Sequence, residues 1–197
     1  MRRSRGWRIG LCSTVILTGV LLLAQGSYMQ AKAYFAQYLI EQAWRQTLED
    51  KQPHKPWSWA DTYPVAKMTL MTADDLALVD STFYVLSGAS GRNLAFGPTM
   101  VQGGGLLTQG GNRIIAGHND THFSVLNGIK PGRVIIFQDA NKQKRQYRVS
   151  STQIVHETDN SALMPSYYDQ LTLITCYPFN ALQTGSSYRL IVRALPV

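Results

Sequence analysis

The chain has 197 residues, of which 19 are Lys or Arg and 12 are Asp or Glu, giving a formal net charge of +7. Hydrophobic residues make up 45% of the sequence and charged residues only 16%, a composition that excludes an intrinsically disordered chain. Two cysteines cannot build a disulfide framework or a four-ligand structural zinc site, so the stability of one folded domain must come from burial of apolar side chains.

The first thirty residues have the pattern of a membrane-targeting segment. Four arginines lie within the first eight residues, and residues 9–31 then carry no charged side chain. A bilayer crossing needs roughly 20 apolar residues, which this stretch supplies when Tyr28 and Met29 lie at the far interface. Since positive charge stays on the cytoplasmic side, residues 1–29 are predicted to be a single-pass signal anchor in the cytoplasmic (inner) membrane. The rest of the chain is then extracytoplasmic.

A cleaved signal peptide is the alternative interpretation of this segment. Residues 24–26 and 31–33 both offer small side chains at the positions that a signal peptidase prefers. Without the four leading arginines the net charge falls to +3, and no clustered basic stripe is visible in the remaining sequence. The basic composition therefore indicates membrane topology, and nucleic acid is not predicted as a partner.

Residues 30–64 are predicted to form an amphipathic helix followed by a linker. Residues 30–51 contain no Gly or Pro, and apolar side chains recur there at roughly helical spacing. Several prolines then interrupt the helical pattern. We expect Trp57 and Trp59, which lie among these prolines, to pack onto the following domain rather than to form a ligand cage.

Beyond the linker the pattern changes to short β-branched or aromatic runs separated by turns that contain Gly or Pro. Two short helical stretches are predicted there, at residues 73–78 and 161–168. Many short strands with closely spaced turns are typical of a sandwich or a barrel, so the predicted fold class is mostly β. The six predicted strands cover residues 82–87, 113–118, 133–138, 145–150, 171–176 and 188–193.

Cys176 ends one of the predicted strands and is the strongest candidate for chemistry. Cys12 lies inside the apolar leader, where a thiol behaves as a small hydrophobic group, so Cys176 has no disulfide partner in its own compartment. An unpaired thiol outside the cytoplasm is prone to oxidation and mispairing, which favours a reactive role. A structural role as an ordinary buried cysteine remains open on this argument.

A nucleophilic thiol needs a base close by and a donor for the developing oxyanion. Of the four histidines, His54 and His156 lie in polar segments, whereas His118 follows an apolar strand at a strand-to-loop boundary. His118 and His122 are spaced like a metal pair, but Asn119 stands where a helical metalloprotease motif has glutamate, so no metal is predicted. A serine triad is unsupported, since no serine lies in a Gly-x-Ser-x-Gly turn.

Three segments together resemble the sortase family, the cysteine transpeptidases that attach proteins to cell surfaces. Leu-Thr-Leu-Ile-Thr-Cys at 171–176 is similar to the Thr-Leu-x-Thr-Cys strand of that family. Ala-Gly-His at 116–118 supplies a histidine 58 residues before Cys176, and Arg189 follows Cys176 by 13 residues. The resemblance covers roughly residues 65–197.

This resemblance implies an eight-stranded sortase-type β-barrel with short helices, preceded by the transmembrane and amphipathic helix. Three regions follow: the tail and anchor over residues 1–29, the amphipathic helix and linker over 30–64, and the catalytic barrel over 65–197. The Pro-Trp-Ser-Trp-Ala-Asp run at 56–61 is similar to the small Gram-negative subgroup of the family.

The mechanism that the resemblance implies is a two-step acyl transfer. Cys176 attacks a Leu-Pro-x-Thr-like sorting motif to form a thioester, and His118 protonates the leaving amine and then acts as base. Arg189 donates to the oxyanion or to the substrate backbone. Arg193 projects from the same face of the same strand, and only the interval from Cys176 favours Arg189. Thr175 is assigned to substrate binding, supporting the site by packing or a hydrogen bond; an ordinary strand threonine is the alternative.

The partners implied by the resemblance are a protein substrate with a C-terminal sorting signal, an amine nucleophile and the inner membrane. No cofactor is expected. Calcium activation is not expected either, because residues 88–111 contain no Asp or Glu. Two other functions remain open: a cysteine hydrolase of the same fold, in which water resolves the thioester, and a catalytically silent periplasmic binding barrel.

Overall fold

A computed structural model of the chain describes residues 3–71, 81–180 and 185–197. These residues contain two helices, α1 (Arg3–Asp50) and the one-turn α2 (Gly91–Leu94). Single 3-10 turns lie at Leu107–Gln109, Ser124–Leu126 and Ser161–Leu163. The eight strands are β1 (Pro64–Leu70), β2 (Ser81–Ser87), β3 (Thr99–Gln102), β4 (Asn112–Ala116), β5 (Val134–Asp139), β6 (Lys144–His156), β7 (Gln170–Tyr177) and β8 (Tyr188–Pro196).

The chain divides into two compact units, residues 1–38 and residues 39–197. In the first unit α1 exposes large apolar side chains such as Leu17, Leu21 and Leu23. By length and composition this helix is sufficient for one membrane crossing. The helix predicted over residues 30–51 forms, and it continues without a break from the residues before it.

In the second unit the last turns of α1 bury one face. Ile40, Ala43 and Trp44 are no more than 2% exposed, which fits their near-helical spacing of three to four residues. On the same turns, Glu41 lies beside the phenol of Tyr84 in β2. Burial and the neighbouring carboxylate raise the pKa of Tyr84.

Of the two linker tryptophans that were predicted to pack onto the barrel, Trp57 does so. The Trp57 ring meets Phe96 edge-on, with 5.0 Å between ring centroids. Trp59 lies 5.4 Å from Trp57 but stays 75% exposed. The linker is therefore attached to the barrel at the loop that follows α2.

All eight strands close into one barrel, in the order β1-β2-β3-β4-β7-β8-β6-β5, and β5 completes it by pairing with β1. The pairs β2 with β3 and β4 with β7 are parallel, and the others are antiparallel. The predicted mostly β, eight-stranded barrel is confirmed. Two of its strands, β1 and β3, are not among the six found from the sequence pattern.

Side-chain alternation divides each strand between the barrel interior and its outer face. In β7, Leu171 and Leu173 belong to the main core inside the barrel. Ile174 points the other way and packs on a second cluster that includes Val155 and Ile191. The outer face of β7 and β8 therefore carries a small apolar cluster, separate from the main core inside the barrel.

A buried charge network closes the barrel at the end where β4 and β7 begin. The Arg113 side chain is fully buried, ion-pairs with Asp169 and donates to the hydroxyl of Tyr147 at 3.0 Å. Its Nη2 also donates to the carbonyl of Leu106 at 3.1 Å. Arg145 binds the same carboxylate from the other side. Burial raises the pKa of Tyr147 to about 12.

One predicted helical stretch is wrong, since residues 161–168 contain only the single turn Ser161–Leu163. Pro165 cannot donate to a helical hydrogen bond. The side-chain amide of Asn112 donates to two carbonyls of this segment, at 3.1 and 3.2 Å, and so holds it in an irregular conformation. The other stretch, residues 73–78, lies outside the described residues.

Candidate active site

Of the three residues predicted for catalysis, Cys176 and Arg189 lie on β7 and β8, and His118 lies in the loop two residues after the end of β4. β4 and β7 run parallel with Ala116 opposite Ile174, so His118 lies two residues beyond this pair, level with Cys176. β7 and β8 run antiparallel with Cys176 directly opposite Arg189. The structure therefore brings His118, Cys176 and Arg189 to the same end of the β4-β7-β8 sheet.

Cys176 and Arg189 project from the outer face of the barrel. Strand alternation puts Cys176 on the same side as Ile174, and Arg189 on the same side as Ile191, both of which pack outside the barrel. Opposite residues of an antiparallel pair have Cβ atoms roughly 5 Å apart. The thiol of Cys176, which is partly exposed, is therefore a direct neighbour of the Arg189 side chain.

Thr175 faces the opposite way and is only 2% exposed. Its hydroxyl donates to the carbonyl of Gly117 at 2.8 Å, and the Gly117 amide donates to the carbonyl of Ile174 at 3.1 Å. These two bonds extend the pairing of β4 with β7 to the residue before His118. Substrate binding by Thr175 stays a prediction; the contact seen is with the backbone that carries His118.

Gly117 occupies a position that a larger residue cannot share with its neighbour. A Cβ atom there would lie 2.7 Å from the ring of Phe123, which is fully buried. The amide of Phe123 donates to the carbonyl of His118 at 2.9 Å and closes the loop after β4. The backbone of His118 is thus fixed from both sides, although its side chain is exposed.

Asn119 contributes to the site in a way that the sequence analysis missed. Its side-chain amide donates to the carbonyl of Pro178 at 3.0 Å and joins the loop after β4 to the loop after β7. Asn119 and Pro178 are 59 positions apart, and no sequence motif links them. The only signal in the sequence was that Asn119 follows His118 directly.

His122 lies near His118 and is partly buried. Its ring is edge-on to Phe83, with 6.4 Å between ring centroids. Burial, and secondly the positive charge of His118, lower the pKa of His122, so the neutral imidazole is favoured there. Within residues 3–71, 81–180 and 185–197, no group of three or more His, Cys, Asp or Glu is arranged to hold a metal ion.

The guanidinium of Arg189 is held by three acceptors. Its Nη1 donates to the carbonyls of Ser186, at 2.5 Å, and Tyr188, at 2.9 Å. Its Nη2 pairs with the carboxylate of Glu157 at 2.9 Å. The Arg189 side chain remains 29% exposed, so an incoming group can reach it.

Arg193, the other arginine of β8, lies at a different level of the sheet. It is opposite Thr172 in β7, four residues from Arg189 and so about 13 Å further along the strand. Its Nη1 donates to the side chain of Gln153 at 3.2 Å. Arg193 and Arg189 share a face of β8, but only Arg189 is level with Cys176.

A closed barrel that brings a thiol, an imidazole and a guanidinium to one end of adjoining strands has the groups that acyl transfer through a cysteine requires. Residues 62–197 match the sortase domain family. The chain therefore belongs to the sortase family, whose members are cysteine transpeptidases that act on protein substrates with sorting signals.

Solved sortase structures share the fold. Sortase A of Listeria monocytogenes is 23% identical with a TM-score of 0.57, over 68% of this chain and 87% of that chain. Sortase A of Corynebacterium diphtheriae is 23% identical with a TM-score of 0.56, over 82% and 84%. Sortase C-1 of Actinomyces oris is 24% identical with a TM-score of 0.54, over 68% and 74%. No curated protein sequence gives a significant match.

Proposed function

We propose that this sortase is a membrane-anchored cysteine transpeptidase that cleaves a Leu-Pro-x-Thr-like sorting motif and transfers the acyl group to an amine. The proposal assigns Cys176 as nucleophile, His118 as general acid and base, and Arg189 as oxyanion donor. The observation that carries it is the register of β4, β7 and β8, which brings His118, two residues after the end of β4, to the end of the sheet where Cys176 lies opposite Arg189.

In the first step the Cys176 thiolate attacks the carbonyl carbon of the threonine-like residue. A C–S bond forms, the peptide C–N bond breaks, and His118 gives its proton to the leaving amine. In the second step the incoming amine attacks the thioester and loses a proton to His118. A new C–N bond forms, the C–S bond breaks, and Cys176 is released as the thiolate. Arg189 donates to the tetrahedral oxyanion in both steps, since its guanidinium is charged at all working pH values.

The proposed location is the cytoplasmic membrane with the barrel in the periplasm. The support is the long apolar helix α1 together with the arginines at its amino-terminal end. The Pro-Trp-Ser-Trp-Ala-Asp run at 56–61 supports the Gram-negative subgroup. A membrane-impermeant maleimide applied to intact spheroplasts should label Cys176 and not a Cys176→Ala variant; labelling only after lysis contradicts this topology.

The activity is tested with the full-length protein in detergent, a Leu-Pro-x-Thr peptide and an amine. We expect an amide-linked product, no turnover for Cys176→Ala, and losses of about 10²-fold or more for His118→Ala and Arg189→Ala. Arg193→Ala is the matched control and should stay close to wild type. A severe loss in Arg193→Ala with a mild one in Arg189→Ala contradicts the arginine assignment.

The same assay separates the other functions. Peptide cleavage at a rate that amine does not change, with only hydrolysed product, supports a cysteine hydrolase. An absence of peptide consumption that is unaltered by Cys176→Ala supports a binding barrel.

A further inference from the structure

The end of β6 supplies a carboxylate to Arg189 from the side away from Cys176. β6 pairs with β8 on the edge opposite β7, with His156 facing Tyr188. Glu157 is the next residue, and its amide donates to the carbonyl of Ser187 at 2.7 Å, which continues the pairing by one step. The backbone of Glu157 is therefore fixed, and its side chain reaches Arg189 without a long flexible loop.

The aromatic side chains at this point reinforce the junction of β6 with β8. The rings of His156 and Tyr188 meet edge-on, with 5.7 Å between centroids. Glu157 and Arg189 are thus anchored on two strands that are joined by hydrogen bonds and by a ring contact. The ion pair between them is held by ordered backbone at both ends, unlike most exposed pairs.

The contacts of Arg189 give Glu157 a distinct part in orienting the guanidinium. Nη1 donates to the carbonyls of Ser186 and Tyr188. Among the described residues, Glu157 is the single acceptor for Nη2, so it restrains the part of the guanidinium that the two carbonyls do not bind. With it, the plane is fixed, and Nε–H and the second Nη2 proton have no partner within the described part of the chain. Those donors are available to a substrate oxygen.

We infer that Glu157 is the positioning residue for Arg189, holding the guanidinium so that its remaining donors meet the oxyanion formed at Cys176. This inference rests on the proposed catalytic role of Arg189. Glu157 also offsets the charge of Arg189 from the far side, because β8 lies between β6 and β7. The effect of Glu157 on the orientation of Arg189 and the effect of its charge on the Cys176 thiolate can be measured separately, the first through kcat and the second through the alkylation rate of Cys176.

Glu157→Gln removes the charge and weakens the hold on Nη2 while keeping the size of the side chain. We expect kcat to fall about 10-fold with little change in KM, because a misplaced donor costs transition-state stabilisation rather than substrate binding. Alkylation of Cys176 by iodoacetamide at neutral pH should instead become about 2-fold faster, because one negative charge roughly 10 Å away no longer opposes the thiolate. The alkylation rate reports only the loss of the charge; a merely structural role would instead lower kcat in Glu157→Gln by the same factor whether or not Arg189 is present, which the double-mutant cycle measures.

Asp159→Asn is the matched control. It makes the same charge change in the same loop, and its side chain accepts from the amide of Ser161 rather than contacting Arg189. We expect wild-type kcat and KM for this variant. Glu157→Gln combined with Arg189→Ala completes a double-mutant cycle, measured as single-turnover thioester formation in the full-length protein.

If Glu157 acts through Arg189, the double variant is no slower than Arg189→Ala alone. Two results overturn the inference: a wild-type kcat in Glu157→Gln, or a loss in the double variant equal to the product of the two single losses. If Arg189→Ala is still severely impaired in that case, the proposed function stands. Full activity of Arg189→Ala removes the catalytic role of Arg189, and the role of Glu157 with it.

Discussion

Thr175→Val tests whether the hydrogen bond between β7 and the loop after β4 positions His118. Valine keeps the shape of the threonine side chain but cannot donate to the carbonyl of Gly117, which accepts at 2.8 Å in a buried position. Losing a buried hydrogen bond and leaving its acceptor unpaired costs about 1–2 kcal/mol. For a domain of this size that corresponds to a Tm lowered by about 3–6 °C.

The effect on catalysis should exceed the effect on folding. Gly117 directly precedes His118, so a shift of this carbonyl moves the imidazole relative to Cys176. A displacement on the order of 1 Å lowers kcat by about 10- to 100-fold. We would measure Tm by circular dichroism in detergent and kcat with the sorting peptide and amine, using protein that remains folded at the assay temperature.

Thr175→Ser is the control for this prediction. Serine keeps the donor and removes one buried methyl group, which costs about 1 kcal/mol of stability. Both variants therefore lose a similar amount of stability, and only Thr175→Val should lose kcat. Equal kcat values for the two variants would refute the positioning role of the hydroxyl.

Three further predictions concern other contacts of the barrel. Gly117→Ala forces a Cβ against the buried ring of Phe123, at 2.7 Å, and should lower the free energy of unfolding by about 1–3 kcal/mol, measured by urea titration. Asn119→Ala removes the bond between the two loops at the site; kcat/KM should fall several-fold while Tm changes little, because Asn119 is half-exposed. The pKa of Tyr147 is raised by burial to about 12 from an unfolded value of about 10. Its contribution of about 2–3 kcal/mol is then complete below pH 10 and is lost as pH rises towards 12, as urea titrations across this range would show.

The controls for these three follow from the same contacts. Gly91→Ala has open space around the added Cβ and should retain wild-type stability. Gln153→Ala removes a side-chain contact of Arg193, away from the site, and should leave kcat/KM unchanged. Tyr147→Phe has no ionisable group at this position, so the free energy of unfolding should decline less above pH 10 than in wild type. An equal decline in wild type and Tyr147→Phe would assign the alkaline transition to other groups.

Most strands could be predicted from local patterns, and the two that were missed have local causes. β1 begins with Pro64 and has Val65 on the face that is only half-buried, so its alternation of apolar and polar residues is weak in the sequence. β3 has four residues, between Gly97 and Gly103, which is shorter than the runs that a periodicity argument can detect. The anchor segment and the amphipathic segment before the barrel form one helix, which Gly26 does not interrupt.

The site itself depended on long-range pairing. Strand order alone did not predict that β4 lies beside β7, since the whole β5-β6 hairpin intervenes in the chain. His118 and Cys176 were assigned to one site only because the interval between them resembles that of the sortase family. The contact of Glu157 with Arg189 carried no sequence signal, because it joins residues 32 positions apart through the pairing of β6 with β8.

The closed order of the barrel has a consequence for how an extended peptide can be recognised. Where β7 approaches the site it is paired on both sides, with β4 and with β8 from Leu171 to Ile174, so this stretch offers no free edge to which a peptide could add as a further strand. Under the proposed function, a sorting signal then lies across side chains and loops on the outer face near Cys176. The loops around the site then determine which peptides bind. These loops can change in length and composition while the strand pairing beneath them, and with it the register of the three candidate catalytic residues, stays the same.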